Sequence, residues 1–325
     1  MTSKFRVRSW RAIALVLSFS LLAVACGSSS DSATGPPEES ADEFVDDSSG
    51  AETRVLRVGA IPDQEPERLQ RTYDLLATYL EEEIDGLSVE YVPVTEYSSA
   101  VTGFSVGDLD AVWFGGLTGV QARLEVEGSN AIAQRDIDEE FTSVFIARAD
   151  NGIEPLNRTP DLASLAGRSF TFGSESSTSG RLMPQSFLND AGIDPATDFA
   201  GQPGFSGSHD ATIEVVTAGS FEVGVLNSQV WDARVAEGAV DTDEVIEIFR
   251  TEPFFDYHWL AQPDLDDRLG GGFTGELTDA LLGLDASDPD QAEVLELFGA
   301  GSFVLTENDN YQAIELVGRD SGLIR

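Results

Sequence analysis

Two rhythms of apolar and polar positions run through the chain from Arg54 onward. Arg54-Val55-Leu56-Arg57-Val58-Gly59-Ala60-Ile61 has an alternating pattern and stops at Pro62, which predicts a strand running into a loop. Glu67–Glu83 then places Leu69, Tyr73, Leu76 and Leu80 three and four residues apart, the spacing of one helix face. The pattern continues with a strand at Ser88–Val94, a helix at Tyr97–Val106, a strand at Asp110–Phe114 and a helix at Leu117–Glu127. Ser143–Ala147 reads as a strand that carries the chain between lobes. Ser169–Phe172 reads as a strand, followed by a Ser/Thr-rich turn and a helix. Thr212–Gly219 and Ser228–Gly238 read as helices on either side of a strand at Phe221–Leu226. Val245–Phe249 reads as the return toward the first lobe, and Leu277–Leu284, Ala292–Leu297 and Tyr311–Val317 as closing helices. Strands alternating with helices predict an α/β fold with mainly parallel sheets.

The first residues break this pattern. Lys4, Arg6, Arg8 and Arg11 precede an uncharged stretch, Ala12–Val24, that is shorter than the roughly 20 apolar residues needed to cross a bilayer. A basic head, a short apolar core and small residues up to Cys26 form a secretory signal, and Leu22-Ala23-Val24-Ala25-Cys26 resembles a bacterial lipobox. Cys26 is the only cysteine, so no internal disulfide forms, and lipidation is the role its position predicts. Gly27–Thr53 is small, polar and acidic, the composition of a disordered tether. The expected organisation is a signal peptide at 1–25, a tether at 26–53, a first part of lobe I at 54–143, lobe II at 144–249, and a return to lobe I with C-terminal helices at 250–325.

Charge narrows the partners. The formal net charge is −39; the first 25 residues hold four basic and no acidic residues, so their removal takes it to −43. No lysine remains after Lys4. A nucleic-acid partner needs a basic face and is excluded, as is adhesion of the domain to anionic lipid. Two histidines and one lipidated cysteine predict no zinc site. The sequence lacks a nucleophile elbow, a nucleotide phosphate loop and a dinucleotide fingerprint, so neither an enzyme nor a cofactor is expected.

In open α/β sheets, ligands bind beyond the carboxyl ends of strands, close to helix N-termini. The loops so placed are Pro62–Pro66, Thr95–Ser99, Phe114–Thr118, Gly173–Gly180, Phe205–Asp210 and Leu226–Gln229. The most informative run is Ser176-Ser177-Thr178-Ser179-Gly180-Arg181. Its hydroxyls and the free N–H groups of a starting helix suit an oxyanion, and Arg181 would add charge. The same residues also suit a plain helix cap. His209, in Phe205-Ser206-Gly207-Ser208-His209-Asp210, reads either as a donor to an anion or as a local cap. Tyr257-His258-Trp259 reads either as a cleft lining or as the packing of a returning strand.

These motifs together resemble a known family. Tyr97 in TEYSSAV, Phe114-Gly115-Gly116, SSTSGRLMP at Ser176–Pro184 and GSHDATI at Gly207–Ile213 look like the phosphonate/phosphite-type substrate-binding proteins of ABC importers, from Arg54 to Ile314. The wording of AIPDQEP and FGGLTGVQAR is similar to a subgroup labelled selenate-binding. The resemblance implies a two-lobed, type II periplasmic-binding-protein fold, with mixed sheets flanked by helices and a ligand cleft between the lobes. It implies that Ser177, Thr178 and Ser179 hold the oxygens of a phosphite, phosphate or phosphonate. His209 would donate beside them, Tyr97 would close from the other lobe, and Asn227 lies near a ligand position. Asp63, Gly116, Thr118, Arg181 and Tyr257 form a second rank of candidates. Asp63, Asp210 and Asp256 are the carboxylates able to accept a proton from the ligand; sulfate or selenate brings none. One departure is Gly119, which stands where many members carry an aromatic residue. The implied partners are a permease and an ATPase, with the lipid on Cys26 holding a monomeric binder to the outer face of the membrane. A sensor lipoprotein serving a membrane kinase, or an enzyme on the same fold, are the alternatives.

Overall fold

The computed structural model describes Thr53–Arg325; Cys26, the signal and most of the tether lie outside the described residues. The strands are β1 (Arg54–Ala60), β2 (Leu87–Tyr91), β3 (Ala111–Phe114), β4 (Asn130–Arg135), β5 (Ser143–Arg148), β6 (Phe170–Phe172), β7 (Gly204–Phe205), β8 (Val223–Asn227), β9 (Val245–Arg250), β10 (His258–Ala261) and β11 (Phe303–Leu305). The helices are α1 (Pro66–Glu83), α2 (Tyr97–Ser105), α3 (Gly116–Glu125), α4 (Met183–Asp190), α5 (His209–Thr217), α6 (Ser228–Ala236), α7 (Leu265–Leu269), α8 (Phe273–Gly283), α9 (Pro289–Phe298) and α10 (Gln312–Asp320).

Two sheets result. Lobe I is built on the order β11-β4-β10-β3-β1-β2, and lobe II on β7-β6-β8-β5-β9. Strands β1, β2 and β3 pair in parallel, while β10 runs antiparallel between β3 and β4. In lobe II, β6 is parallel to β7 and β8, and β5 is antiparallel to both β8 and β9. Both sheets are therefore mixed rather than mainly parallel.

The helix period of α1 is physical: Leu69, Tyr73, Leu76 and Leu80 are buried on one face against lobe I. That lobe's core also holds Trp113, Trp259 and Phe298, whose rings meet edge-on or tilted at 5.4–6.3 Å. Lobe II covers its sheet on both faces. One side gathers Phe145, Phe170 and Phe172; the other gathers Val144, Ile146, Leu226 and Trp231.

The crossings lie elsewhere than the sequence pattern suggests. Ser143–Ala147 and Val245–Phe249 are adjacent strands inside lobe II, and neither spans the lobes. The chain crosses just before β5 and just after β9, where Phe141 and Phe254 exchange backbone hydrogen bonds of 3.0 and 2.8 Å. Asp256 N donates to Asp138 O at 3.1 Å one step further along. The two crossing segments thus form a short paired ribbon.

Candidate functional site

The carboxyl ends of β1, β3, β6, β7 and β8 converge between the lobes. The turn after β6 is built first. Ser177 precedes a wide helical turn, Thr178–Leu182, closed by bonds over five residues such as Leu182 N to Ser177 O at 3.0 Å. Such turns loosen the helix and recur at functional sites. Ser177 Oγ accepts from Gly180 N at 2.9 Å, so Ser177 does act as a cap. Thr178 and Ser179 lie beyond that role and are buried.

Thr178 reaches across the lobes. Its Oγ1 accepts from Leu117 N at 2.9 Å, in the first turn of α3, and Gly116 N donates to Asp256 Oδ1 at 2.9 Å. The close approach depends on Gly115. A Cβ there would sit 3.1 Å from Thr178 Oγ1 and 3.2 Å from Asp256 Oδ1, tighter than ordinary packing. Around this point three buried polar atoms have no partner: Tyr97 Oη, Ser179 Oγ and Asp256 Oδ2. Tyr97 faces Ser177, and Asp256 faces Thr178 and Ser179, without completing a bond through these atoms. A buried polar group without a partner costs about 1–3 kcal/mol, so three together at one point call for a function. Burial pushes the Asp256 carboxyl up to about 7, against the Gly116 N–H that favours its charged form.

A second cluster lies alongside. Tyr257 Oη donates to Asp63 Oδ2 at 2.8 Å. It receives Asn227 Nδ2 at 3.1 Å and lies 3.3 Å from His209 Nε2. His209 Nδ1 accepts from Asn227 N at 3.3 Å, which assigns the ring proton to Nε2, pointing at Tyr257. Burial lowers the His209 pKa to about 4, so the ring is neutral. Burial raises Asp63 to about 6, opposed by the bond from Tyr257. The Tyr257 ring is fixed between Trp113, stacked at 5.6 Å, and the Arg135 guanidinium, 4.7 Å from its centroid.

Each sequence candidate now has a place. Ser177, Thr178, Ser179 and Tyr97 come together with Gly116 and Asp256. His209, Asn227, Asp63 and Tyr257 come together in the neighbouring cluster. Asn227 also caps α6, with Oδ1 accepting from Val230 N at 3.0 Å. His209 is not the α5 cap; Ser208 is, accepting from Ala211 N at 3.2 Å. Thr118 bonds back to Gly115 O at 3.1 Å, closing its own turn. Arg181 makes no hydrogen bond to the hydroxyls; its guanidinium lies 4.3 Å over the Phe172 ring, with Nη1 buried and unpartnered. Asp210 is engaged by Arg234 and is not free for a ligand. Of the aromatic triplet, Tyr257 lines the interface, whereas His258 and Trp259 enter β10. Gly119 is explained by His258: a Cβ at 119 would meet its ring at 2.2 Å, so His258 fills that space. Arg135 escaped the sequence reading because it precedes a hinge in an unremarkable acidic run. Among the described residues no helix is long and apolar enough to cross a membrane, and no group of three or more His, Cys, Asp or Glu gathers as for a metal.

Comparison with known proteins matches residues 58–311 to the family described as ABC transporter, phosphonate, periplasmic substrate-binding protein. A protein of Prochlorococcus marinus, named a probable phosphite-binding protein of an ABC transporter, is 45% identical over 272 residues, covering 84% of this chain and 91% of that one. Its crystal structure in complex with methylphosphonate superposes with a TM-score of 0.81, covering 84% of this chain and 100% of that one. A phosphate-import protein of Mycolicibacterium smegmatis is 28% identical, covering 77% of this chain and 76% of its own length. A binding component of a phosphonate transporter from Pseudomonas aeruginosa shares the fold, with a TM-score of 0.71 at 18% identity over 82% of this chain and 86% of that one.

Proposed function

Because the chain belongs to the phosphonate-type periplasmic substrate-binding proteins of ABC transporters, we propose that it captures a small tetrahedral phosphorus oxyanion between its lobes and delivers it to a permease and its ATPase. It is a transport binding protein rather than an enzyme. The observation that carries the site is the convergence of Tyr97 Oη, Ser179 Oγ and Asp256 Oδ2, all buried and unpartnered, on the Ser177–Gly180 turn. In this reading Ser177, Thr178 and Ser179 supply short neutral donors, and Tyr97 closes over the ligand. Neutral donors suit a chain of charge −39, whose overall field repels anions. The Tyr257 cluster joins the lobes beside the ligand and orients His209. With the crossings just before β5 and just after β9, residues 54–142 and 251–325 serve as lobe I and 143–250 as lobe II, one residue from the expected boundary at each crossing.

Asp256 gives the ligand its class. A carboxylate held near 7 can share one proton with the bound anion. A ligand that brings its own proton, such as hydrogen phosphite, hydrogen phosphate or a hydrogen phosphonate, satisfies Oδ2. Sulfate and selenate bring none, and an ionised Asp256 repels them. This favours the phosphorus class over selenate. Calorimetric titration of the exported chain with phosphite, phosphate, methylphosphonate, sulfate and selenate tests it. Sulfate or selenate bound most tightly at neutral pH would overturn the assignment.

The localisation follows from the signal and Cys26: export, lipidation and attachment to the outer face of the membrane by a polar leash. Metabolic labelling with a radioactive fatty acid, lost in Cys26→Ser, checks it. The site geometry is the same for a sensor, and capture for import is favoured by the relatives' transport role.

A further inference from the structure

Two helices of lobe I begin at the interface without a cap of their own. The residue before α1, Glu65, makes no side-chain cap, and the residue before α3, Gly115, has no side chain. Lobe II supplies both. Thr178 accepts from α3, as described, and Asp210 Oδ2 accepts from Glu65 N at 3.1 Å. A carboxylate at a helix start is favoured by the free N–H groups and the helix dipole.

Asp210 does not act alone. Arg234 binds it in a fork, Nε to Oδ1 at 2.7 Å and Nη2 to Oδ2 at 3.1 Å. Arg234 Nη1 continues to Glu237 Oε2 at 3.0 Å, and Glu237 Oε1 receives Arg68 Nη1 of α1 at 3.1 Å. Beside these, His209 N donates to Asp63 O at 2.9 Å. The run thus crosses from lobe II to lobe I at three successive points of the β1–α1 loop and first helical turn. Asp210 and Arg234 are buried, and both Asp210 oxygens are occupied, so none is left for a ligand.

We propose that Asp210, Arg234 and Glu237 form a clasp that favours the closed pair of lobes and sets ligand affinity without touching the ligand. The inference rests on the binding reading above only for its effect on affinity. Closure caps α1 across the interface and joins Arg68 to Glu237; opening undoes both. A binder whose competent state is more populated binds more tightly by the same factor.

The test compares the exported chain with Asp210→Asn, Glu237→Gln and Arg68→Gln, using small-angle scattering without ligand and stopped-flow release of phosphite. Asp210→Asn is expected to enlarge the ligand-free envelope and raise the phosphite Kd about tenfold through faster release, the scale of one lost charged cap. Glu237→Gln and Arg68→Gln act on a half-exposed pair, so each should give about twofold in the same direction, and the double variant no more than either alone. Should Asp210→Asn fail to fold, the two surface variants decide. Folded variants with unchanged envelopes and unchanged release rates overturn the clasp. If the wild-type chain releases no phosphite because it binds none, the binding reading falls and the scattering still decides the clasp.

Discussion

Asp256 and Tyr257 are neighbours in sequence and opposites in chemistry. The Tyr257 hydroxyl makes contact with three groups, Asp63, Asn227 and His209, and its ring is held between Trp113 and Arg135. Asp256 keeps one carboxylate oxygen buried and unpartnered, beside Ser179 and Tyr97 in the same condition. One cluster is finished and joins the lobes; the other is unfinished. A satisfied network adds rigidity, whereas unsatisfied groups are energetically costly until something binds them. On the proposed function, the difference separates the part of the interface that holds from the part that receives.

Removing the receiving hydroxyls tests this most strongly. Ser177→Ala with Thr178→Ala should weaken phosphite binding about a hundredfold, the loss of two bonds to a charged ligand at roughly 1.5 kcal/mol each. The melting curve should fall as well, by about 1 kcal/mol of stability for each lost cap, because Ser177 Oγ and Thr178 Oγ1 also accept from Gly180 N and Leu117 N. Equal affinity in calorimetry would break the contrast. The converse variant is Tyr257→Phe, which strands Asp63, Asn227 and His209. It should lower folding stability by about 2 kcal/mol in urea unfolding. A variant that instead lost only affinity would put Tyr257 in the receiving cluster.

Acidity gives a third handle. Asp256 is protonated below about 7 in the folded chain and charged above it. Sulfate brings no proton, so one shared with it must come from Asp256. Its affinity should therefore fall, by up to about tenfold per unit, as pH rises above 7, since binding there takes up one proton per site. In Asp256→Asn the amide donates at every pH, and the slope should vanish; equal slopes in both chains would rule Asp256 out. The smallest effect is expected from Ser179→Ala, about fivefold in phosphite affinity for one neutral donor, with stability unchanged or slightly raised because an unpartnered buried hydroxyl is removed.

Much of the receiving cluster was legible because it is local. Ser177, Thr178, Ser179 and Gly180 are contiguous, and a Ser/Thr turn before a helix announces free N–H groups. The two-lobed fold was legible through the resemblance and through the alternation up to α3. Other parts depend on distance in sequence. Gly116 and Asp256 meet across 140 positions, and nothing near either names the other. Asp210 reads as a ligand carboxylate until Arg234, 24 residues away, is seen to occupy it. The strands β4 and β11 were passed over, and β10 was read only as one of two alternatives, for a different reason. His258–Ala261 is buried at every position, so it lacks the alternation that marks a half-exposed strand. The exchange of Gly119 for an aromatic was visible, but not that His258 fills the space.

The paired ribbon between the lobes has a mechanical consequence. Two segments tied at Phe141 and Phe254, and again at Asp138 and Asp256, move as one strap rather than as two separate tethers. On the proposed function, a strap of that kind would favour a swing about a single axis. Thr178 and Asp210 would then leave α3 and α1 along concentric arcs, together rather than in sequence. Such a gate would have one stroke, and ligand exit should follow a single exponential.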